Sequence, residues 1–176
     1  AQRILKAREE ADSVGGVTET VICGTPAGVG EPWFDSVESI ISHAAFSLGG
    51  VKGIEFGAGF AAADMKGSEC NDPLRVSGGR IVTTTNNNGG VNGGITNGMP
   101  IVFRCAVKPT PSIAQTQDTV DFIKNENTQL SIHGRHDPAI IRRICPVLDS
   151  VAALCVADML SLRYGTDVLT KGVDDK

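Results

Sequence analysis

The chain has 176 residues, 41% of them hydrophobic and 5% aromatic, and a formal net charge of −4. This length and apolar content suffice for a sizeable core in one domain, while the negative charge argues against a dedicated nucleic-acid-binding protein. No uninterrupted apolar run approaches the roughly 18 residues of a membrane span, and the N-terminus lacks the apolar segment of a signal peptide, so we expect a cytoplasmic protein with no membrane partner.

The first half of the chain mixes helical and extended patterns. Val37, Ile41 and Ala45 recur at helical spacing along one face. In chain order, the pattern predicts a helix over 1–11, a strand over 17–23, a Gly/Pro-rich loop over 25–32, a helix over 35–48 and a short strand over 53–56.

The second half begins with a polar surface segment over 65–79 and a strand over 81–85. Residues 86–98, N-N-N-G-G-V-N-G-G-I-T-N-G, have little side-chain bulk, so we expect a long ordered loop whose backbone amides are open to a ligand. Further on, the pattern predicts a strand over 99–108 with Ile101, Phe103, Cys105 and Val107 on one side, a polar helix over 114–124, a strand over 130–133 and a helix over 147–162. The predicted buried face of this last helix consists of Val147, Leu148, Val151, Leu154, Cys155 and Met159.

The cysteine and histidine content predicts neither disulfides nor a metal site. The five cysteines are an odd number without a C-x-x-C pair. We expect reduced thiols, most of them buried. His133 and His136 have no carboxylate-rich partner segment, and no metal is expected.

A dense group of charges occupies residues 132–148, where Arg135, Asp137 and Arg143 lie close to apolar isoleucines. Pro138 suits the first position of a helix, and Asp137 could cap that helix with its carboxylate. Two interpretations remain open for this stretch: an anion-handling site at a helix entry, or a cap followed by a solvated arginine face.

The glycine-rich segments raise the possibility of nucleotide binding. Residues 57–62 match G-x-G-x-x-A after a predicted strand, but the full helix and the later acidic residue of a dinucleotide fold are missing, and no P-loop motif is present. A tight turn explains 57–62 better. The 86–98 loop together with 108–112 could instead hold a phosphate or a planar heterocycle, or both could simply be loops.

Six short motifs occur in a fixed order: D-S-V-G-G at 12–16, G-x-P-A-G-x-G-E-P at 24–32, V-K-G-I-E-F-G-A-G-F at 51–60, G-G-V-N-G-G-I-T-N-G at 89–98, K-P-T-P-S-I at 108–113 and G-R-H-D-P at 134–138. In this order and spacing the chain resembles the chorismate synthase family over about 12–162. The resemblance covers roughly the C-terminal half of that family's chain. We therefore expect residues 1–176 to be the C-terminal portion of a single domain, without the N-terminal segments that carry the family's two catalytic histidines and several phosphate-gripping arginines.

The resemblance implies an α+β fold, with antiparallel sheets sandwiched between helices, and a homotetramer. It implies conversion of 5-enolpyruvylshikimate 3-phosphate to chorismate and phosphate, an anti 1,4-elimination in the shikimate pathway that requires reduced FMN without net redox change. NADPH would take part only if the parent protein also reduces its own flavin.

The resemblance also assigns roles to residues of this chain. Asp137 is expected near flavin N5 as a proton acceptor or relay. Gly49 and Gly50 match a flavin-contacting pair that is often Asn-Ala, and Arg143 matches a family arginine that stabilises the loop. The expected flavin-binding residues are Gly49, Gly50, Gly93, Lys108, Pro109, Thr110, Pro111, Ser112 and Arg135.

The expected function differs between the parent protein and this chain alone. The parent protein is expected to be a carbon–oxygen lyase that acts on a phosphate. This chain alone would be an inactive folded fragment that binds FMN weakly or not at all. A nucleotide-binding module is the unrelated alternative, and the missing motif context argues against it.

Overall fold

A computed structural model describes residues 2–134 and 136–172 of the chain. Every strand pairing in it is antiparallel, and helices pack against the main sheet, which confirms the α+β class. The helices are α1 (Gln2–Glu9), α2 (Val37–Phe46), α3 (Gly67–Cys70), α4 (Ile141–Tyr164) and α5 (Val168–Lys171), with 3-10 turns at Trp33–Asp35 and Gly59–Asp64. The strands are β1 (Gly16–Ile22), β2 (Val51–Phe56), β3 (Leu74–Ser77), β4 (Arg80–Thr83), β5 (Val91–Asn92), β6 (Ile95–Thr96), β7 (Ile101–Val107), β8 (Gln117–Asp121) and β9 (Glu126–Leu130).

The main sheet has three strands in the order β1-β7-β2. In the register, Gly16 pairs with Val107 and Ile22 with Ile101, so the start of β1 lies beside the end of β7. Side chains alternate along a strand, and in β7 the predicted residues Ile101, Phe103, Cys105 and Val107 are all buried. The strand prediction over 99–108 is confirmed, including its inward face.

Two helices cover this face of the sheet. α2 begins after Ser36, whose hydroxyl accepts a hydrogen bond from the Ser39 amide, as a helix N-cap does. α4 is tied to β1 by a hydrogen bond from Thr20 Oγ1 to Asp149 Oδ1 at 3.1 Å. The helical part of the core consists of Val37, Ile41 and Ala45 from α2 and Ile144, Leu148, Ala152, Cys155 and Met159 from α4.

The predicted buried face of α4 is partly wrong. Leu148, Cys155 and Met159 are buried as expected, but Leu154 is 71% exposed and Val147 is 44% exposed. The helix begins at Ile141, six residues before the predicted start. Pro146 does not prevent this, because it lies in the second turn and removes only one backbone hydrogen bond there. The inward stripe therefore runs through Ile144, Leu148, Ala152, Cys155 and Met159, at steps of four and three residues.

The predicted helix over 114–124 and the strand over 130–133 are also wrong, because residues 117–130 form the β8–β9 hairpin. Its turn is stabilised by the Asp121 carboxylate, which accepts hydrogen bonds from the amides of Ile123 and Lys124. Asn125 then adopts a φ of 54°, a conformation that asparagine tolerates and that ends a helix. Local turn chemistry thus produces a hairpin where a polar helix is predicted.

The Asn/Gly-rich loop over 86–98 is ordered, as expected, but most of its amides are not open to a ligand. Asp72 accepts hydrogen bonds from the amides of Asn87 and Asn88, and the side chain of Asn86 accepts one from Gly90. Gly94 lies so close to Ser36 that a Cβ there would sit 2.7 Å from the Ser36 Cβ. The glycines therefore serve close packing more than ligand access.

Asp72 gives a first testable prediction. Burial raises the pKa of its carboxyl, but the hydrogen bonds from Thr85, Asn88 and Asn87 together lower the pKa by more than burial raises it. The net result is a pKa below the ordinary value of 3.8. Because the folded pKa is depressed, this stabilisation is present above the unfolded pKa and is lost as pH falls through the folded value. We expect Asp72→Asn to lower the free energy of unfolding at pH 7 by about 1 kcal/mol, kept small because the carboxylate remains partly exposed to solvent.

Urea unfolding of Asp72→Asn and wild type at pH 7 and pH 3 checks this prediction. Asp64→Asn is the matched control, since Asp64 is exposed and makes no side-chain hydrogen bond or ion pair with the residues described. The difference between Asp72→Asn and wild type should shrink toward pH 3. A difference that is the same at both pH values would show that the charge of Asp72 does not stabilise the loop.

Within residues 2–134 and 136–172, α4 is the one helix that is long and apolar enough to cross a membrane, judged by length and composition alone. Core helices of soluble domains pass the same test. Its buried residues pack against β1 and α2 as part of the core.

Candidate functional site

A cavity of about 750 Å³ lies at the end of the main sheet where β1 begins and β7 ends. This volume falls within the range of small-molecule and cofactor sites. Its walls come from the end of α1, the segments on either side of the sheet end, and the loop that precedes α4. The lining residues are Arg8, Ala11, Asp12, Ser13, Ser112, Ile113, Ala114, Gly134, His136, Asp137, Pro138 and Arg143.

The segment over 108–112 leaves the sheet at this end. Its prolines at 109 and 111 have no N–H, so few backbone donors remain to fix it. The Lys108 amide donates to the Gly50 carbonyl at 2.8 Å, and the Thr110 carbonyl accepts a hydrogen bond from Ser13 Oγ at 2.6 Å. The Thr110 hydroxyl is buried and has no partner among the described residues, which leaves it available to an additional group.

Asp137 is held on the opposite wall by two contacts. Its Oδ1 accepts a hydrogen bond from the Ala139 amide at 3.2 Å, a short turn of the kind aspartate often makes. Its Oδ2 lies 3.0 Å from Nε of Arg143. The predicted role of Asp137 as a helix cap is wrong, because α4 begins only at Ile141 and its N-cap, Ile140, makes no side-chain cap. The aspartate is thereby oriented while remaining 27% exposed.

The charges around the cavity are mixed, because Arg8 and Arg143 line it together with the acidic residues Asp12 and Asp137. The Asp137 carboxylate is paired with Arg143. Arg8 also lines the cavity, and it forms no ion pair within 4 Å with any acidic residue in the described part of the chain. His136 also lines the cavity, next to Asp137 in the chain, and its Nε2 lies 2.8 Å from the Ile132 carbonyl oxygen. An anionic ligand would therefore meet Arg8 as the first unpaired cation.

The predicted site residues are only partly brought together. Ser112 and Asp137 line the cavity directly, although 25 residues separate them in sequence. Lys108, Pro109, Thr110 and Pro111 lead into it, and Gly50 adjoins them through the Lys108 hydrogen bond, with Gly49 exposed beside it.

Gly93 and Arg135 stand apart from this group for different reasons. Gly93 is exposed in the β5–β6 turn, next to residues that pack on the start of α2. That turn lies near the start of β7, whereas the cavity lies at the end of β7, so the length of the strand, roughly 20 Å, separates the two. The interpretation that the 86–98 loop and 108–112 jointly hold a ligand is not supported within this chain. Arg135 lies outside the described residues.

Sequence reasoning missed the wall formed by Arg8, Asp12 and Ser13. A signal was available, since D-S-V-G-G at 12–16 is one of the six motifs and follows directly on a basic helix end. Its position beside 108–112 could not be read from the sequence, because it depends on the antiparallel pairing of β1 with β7.

The described residues offer no thiol or metal chemistry at this site. No group of three histidine, cysteine, aspartate or glutamate side chains suited to a metal ion occurs among them. All five cysteines are free, but only Cys105 and Cys155 are buried, so the expectation that most are buried is wrong. Burial raises the pKa of Cys105 to about 11, and burial together with the charge of Asp158 raises that of Cys155. Both thiols stay protonated at neutral pH.

Comparison with known proteins gives a consistent result. Residues 1–161 match the sequence profile of the family described as chorismate synthase. The chain is 50% identical over 164 residues to a chorismate synthase of Methanosarcina acetivorans, which covers 93% of this chain and 45% of that protein. It is 55% identical over 160 residues to a chorismate synthase of Chitinophaga pinensis, covering 91% of this chain and 48% of that protein.

The structure is also similar to a solved one. A crystal structure of chorismate synthase superposes with a TM-score of 0.75 at 31% identity, over 94% of this chain and 43% of that one. The chain thus spans about half the length of the curated relatives it matches. The family implies a flavin as the kind of cofactor and a small molecule as the kind of substrate. With a profile match over most of its length and close relatives that carry one name, the chain belongs to the chorismate synthase family.

Proposed function

We propose that this chain supplies one side of the active site of a chorismate synthase, in which reduced FMN is held beside 5-enolpyruvylshikimate 3-phosphate. One observation carries the proposal: the fold brings Ser112 of the K-P-T-P-S-I motif and Asp137 of the G-R-H-D-P motif to one cavity. Two motifs that are distant in sequence and meet at one cavity are typical of a functional site.

The residues present fit a flavin. The cavity volume suits a cofactor, the Thr110 hydroxyl is buried without a described partner, and Arg8 is a cation free to meet a phosphate. Gly50 and Lys108 to Ser112 would form the edge that holds the cofactor, with Arg135 and Gly93 as the further expected contacts. Gly93 lies at the far end of β7, so its contact would need another part of the protein or another subunit.

The chemistry that reduced FMN would supply when bound is a temporary donation of electron density to the substrate ring during the elimination. The chain's own residues would do the remaining work. Asp137 would accept or relay the proton that the substrate ring loses in the elimination, because its carboxylate is oriented by Ala139 and Arg143 yet remains partly open to the cavity. Arg8 attracts and orients an anionic group through its planar guanidinium.

Asp137→Asn tests this assignment in a full-length family member that carries these residues. We expect turnover to fall by roughly a hundredfold or more, the usual contribution of a positioned acid or base, while FMN affinity changes little. Arg135→Ala, by contrast, should lower turnover and also weaken FMN binding. Flavin titration and an anaerobic turnover assay measure the two quantities separately.

Asp118→Asn is the matched control for this test, because Asp118 is exposed on β8 and does not line the cavity. It should leave turnover and FMN affinity unchanged. An Asp137→Asn variant that turns over at the wild-type rate would remove the carboxylate from the mechanism.

The remaining assignments are also proposals. We expect the parent protein to be a cytoplasmic homotetramer, with residues 1–176 as the C-terminal portion of one domain and with no nucleic-acid or membrane partner. The family likeness supports these expectations. NADPH would be required only if the parent reduces its own flavin.

A further inference from the structure

The loop over 12–16, which we call the bridging loop, has no role in the proposed chemistry and yet contacts both walls of the cavity. On one side, Ser13 Oγ donates a hydrogen bond to the Thr110 carbonyl at 2.6 Å. Gly15 packs against the same wall so closely that a Cβ would overlap the carbonyl oxygen of Val107 and approach Pro109 Cδ to 3.1 Å. A side chain at this position would push the 108–112 segment away.

On the other side, the bridging loop contacts the residues around Asp137. The Val14 amide donates a hydrogen bond to the Pro138 carbonyl at 2.8 Å. A Cβ on Gly16 would lie 3.2 Å from Ile141 Cδ1, so the loop also fits closely against the start of α4. The bridging loop therefore links the two walls whose separation defines the cavity.

Ser13 is the residue of this loop on which the position of 108–112 depends most. The prolines at 109 and 111 have no N–H, so the segment makes few backbone hydrogen bonds of its own. Its carbonyl groups are therefore held by side chains from elsewhere that donate to them. The other such bond, from Gln117 Nε2 to the Pro111 carbonyl, is long at 3.4 Å and exposed. Ser13 is itself oriented, because its amide donates to Asp12 Oδ1 at 2.7 Å.

We propose that Ser13 is a positioning residue: its hydroxyl holds the Thr110 carbonyl so that Ser112 faces Asp137 across the cavity. The identity of the ligand rests on the proposed function, whereas the positioning contact does not. Ser13 itself need not touch the reacting atoms.

Backbone 15N relaxation on the 176-residue chain tests the proposal without any ligand. We expect order parameters near 0.85 for Thr110 and Ser112 in wild type, and values below about 0.6 in Ser13→Ala. Ser13→Thr, which keeps a hydroxyl, should restore them. Ser150→Ala is the matched control, since Ser150 Oγ donates to the Pro146 carbonyl within exposed α4 surface, and it should change nothing at 110–112. Should Ser13→Ala not fold, Ser13→Cys provides a weak donor of similar size for the same measurement.

A titration with reduced FMN under anaerobic conditions separates this inference from the proposed function. Weaker FMN binding by Ser13→Ala than by wild type, by about tenfold and with rescue by Ser13→Thr, would support both. Order parameters that respond to Ser13→Ala in a chain that does not bind FMN would support the positioning role and count against a flavin site in this chain alone. Unchanged order parameters in Ser13→Ala would overturn the positioning role, whatever the FMN result.

Discussion

Leu148→Ala should lower the free energy of unfolding by about 2 to 5 kcal/mol, the range measured when packed leucines are truncated. Leu148 is 1% exposed and lies in the middle of the inward stripe of α4, in the same core as the buried residues of β7 and α2. Removing three carbon atoms there leaves a cavity between helix and sheet that a close-packed interior cannot readily fill.

Leu154→Ala is the matched control on the same helix. Leu154 is 71% exposed, so the same truncation should change the free energy of unfolding by no more than about 0.5 kcal/mol. Urea unfolding followed by circular dichroism measures both variants. Equal destabilisation by the two substitutions would mean that the outer side of α4 is packed in solution and that the inward stripe is assigned wrongly.

The contrast between these two leucines shows where sequence patterns are informative. β7 has strict alternation and a single possible inward set, so its four buried residues were predictable from sequence alone. α4 is apolar on more than one side, and a stripe drawn through Leu154 satisfies helical spacing as well as the true one. Only packing against the main sheet and α2 selects between the stripes.

The β8–β9 hairpin shows a second limit. A polar helix is predicted over 114–124, but the Asp121 carboxylate stabilises a turn and Asn125 takes a left-handed conformation. Such turn chemistry acts over about four residues and is easily missed when a sequence is interpreted alone.

The candidate site was predictable to the extent that motifs mark it. The K-P-T-P-S-I and G-R-H-D-P motifs identify Ser112 and Asp137, which do meet at the cavity. Arg8 was not predictable, because an arginine at a helix end is usually a solvated charge and only the position of α1 brings this one to the cavity. The separation of Gly93 from 108–112 likewise follows from strand order, which the motifs do not encode.

The second large effect concerns catalysis: the 176-residue chain alone should form no chorismate, even with reduced FMN and saturating substrate. Loss of phosphate in the elimination requires its charge to be neutralised, and electrostatic stabilisation of that kind is worth several kcal/mol. By resemblance, the two catalytic histidines and several of the arginines that do this belong to the N-terminal half of the family's chain. The cavity described here supplies Asp137, Arg143 and Arg8, which frame one side of a site.

An anaerobic assay of chorismate absorbance tests the central claim most directly, on three purified samples. They are the chain alone, a chimera in which the N-terminal half of the Methanosarcina acetivorans relative precedes this chain, and the same chimera with Asp137→Asn. We expect no chorismate from the chain alone, chorismate from the unsubstituted chimera, and turnover lower by roughly a hundredfold or more in its Asp137→Asn form. Turnover by the chain alone at the rate of the chimera, or a chimera that binds reduced FMN and forms no chorismate, would contradict the assignment of this cavity as one side of a chorismate synthase active site.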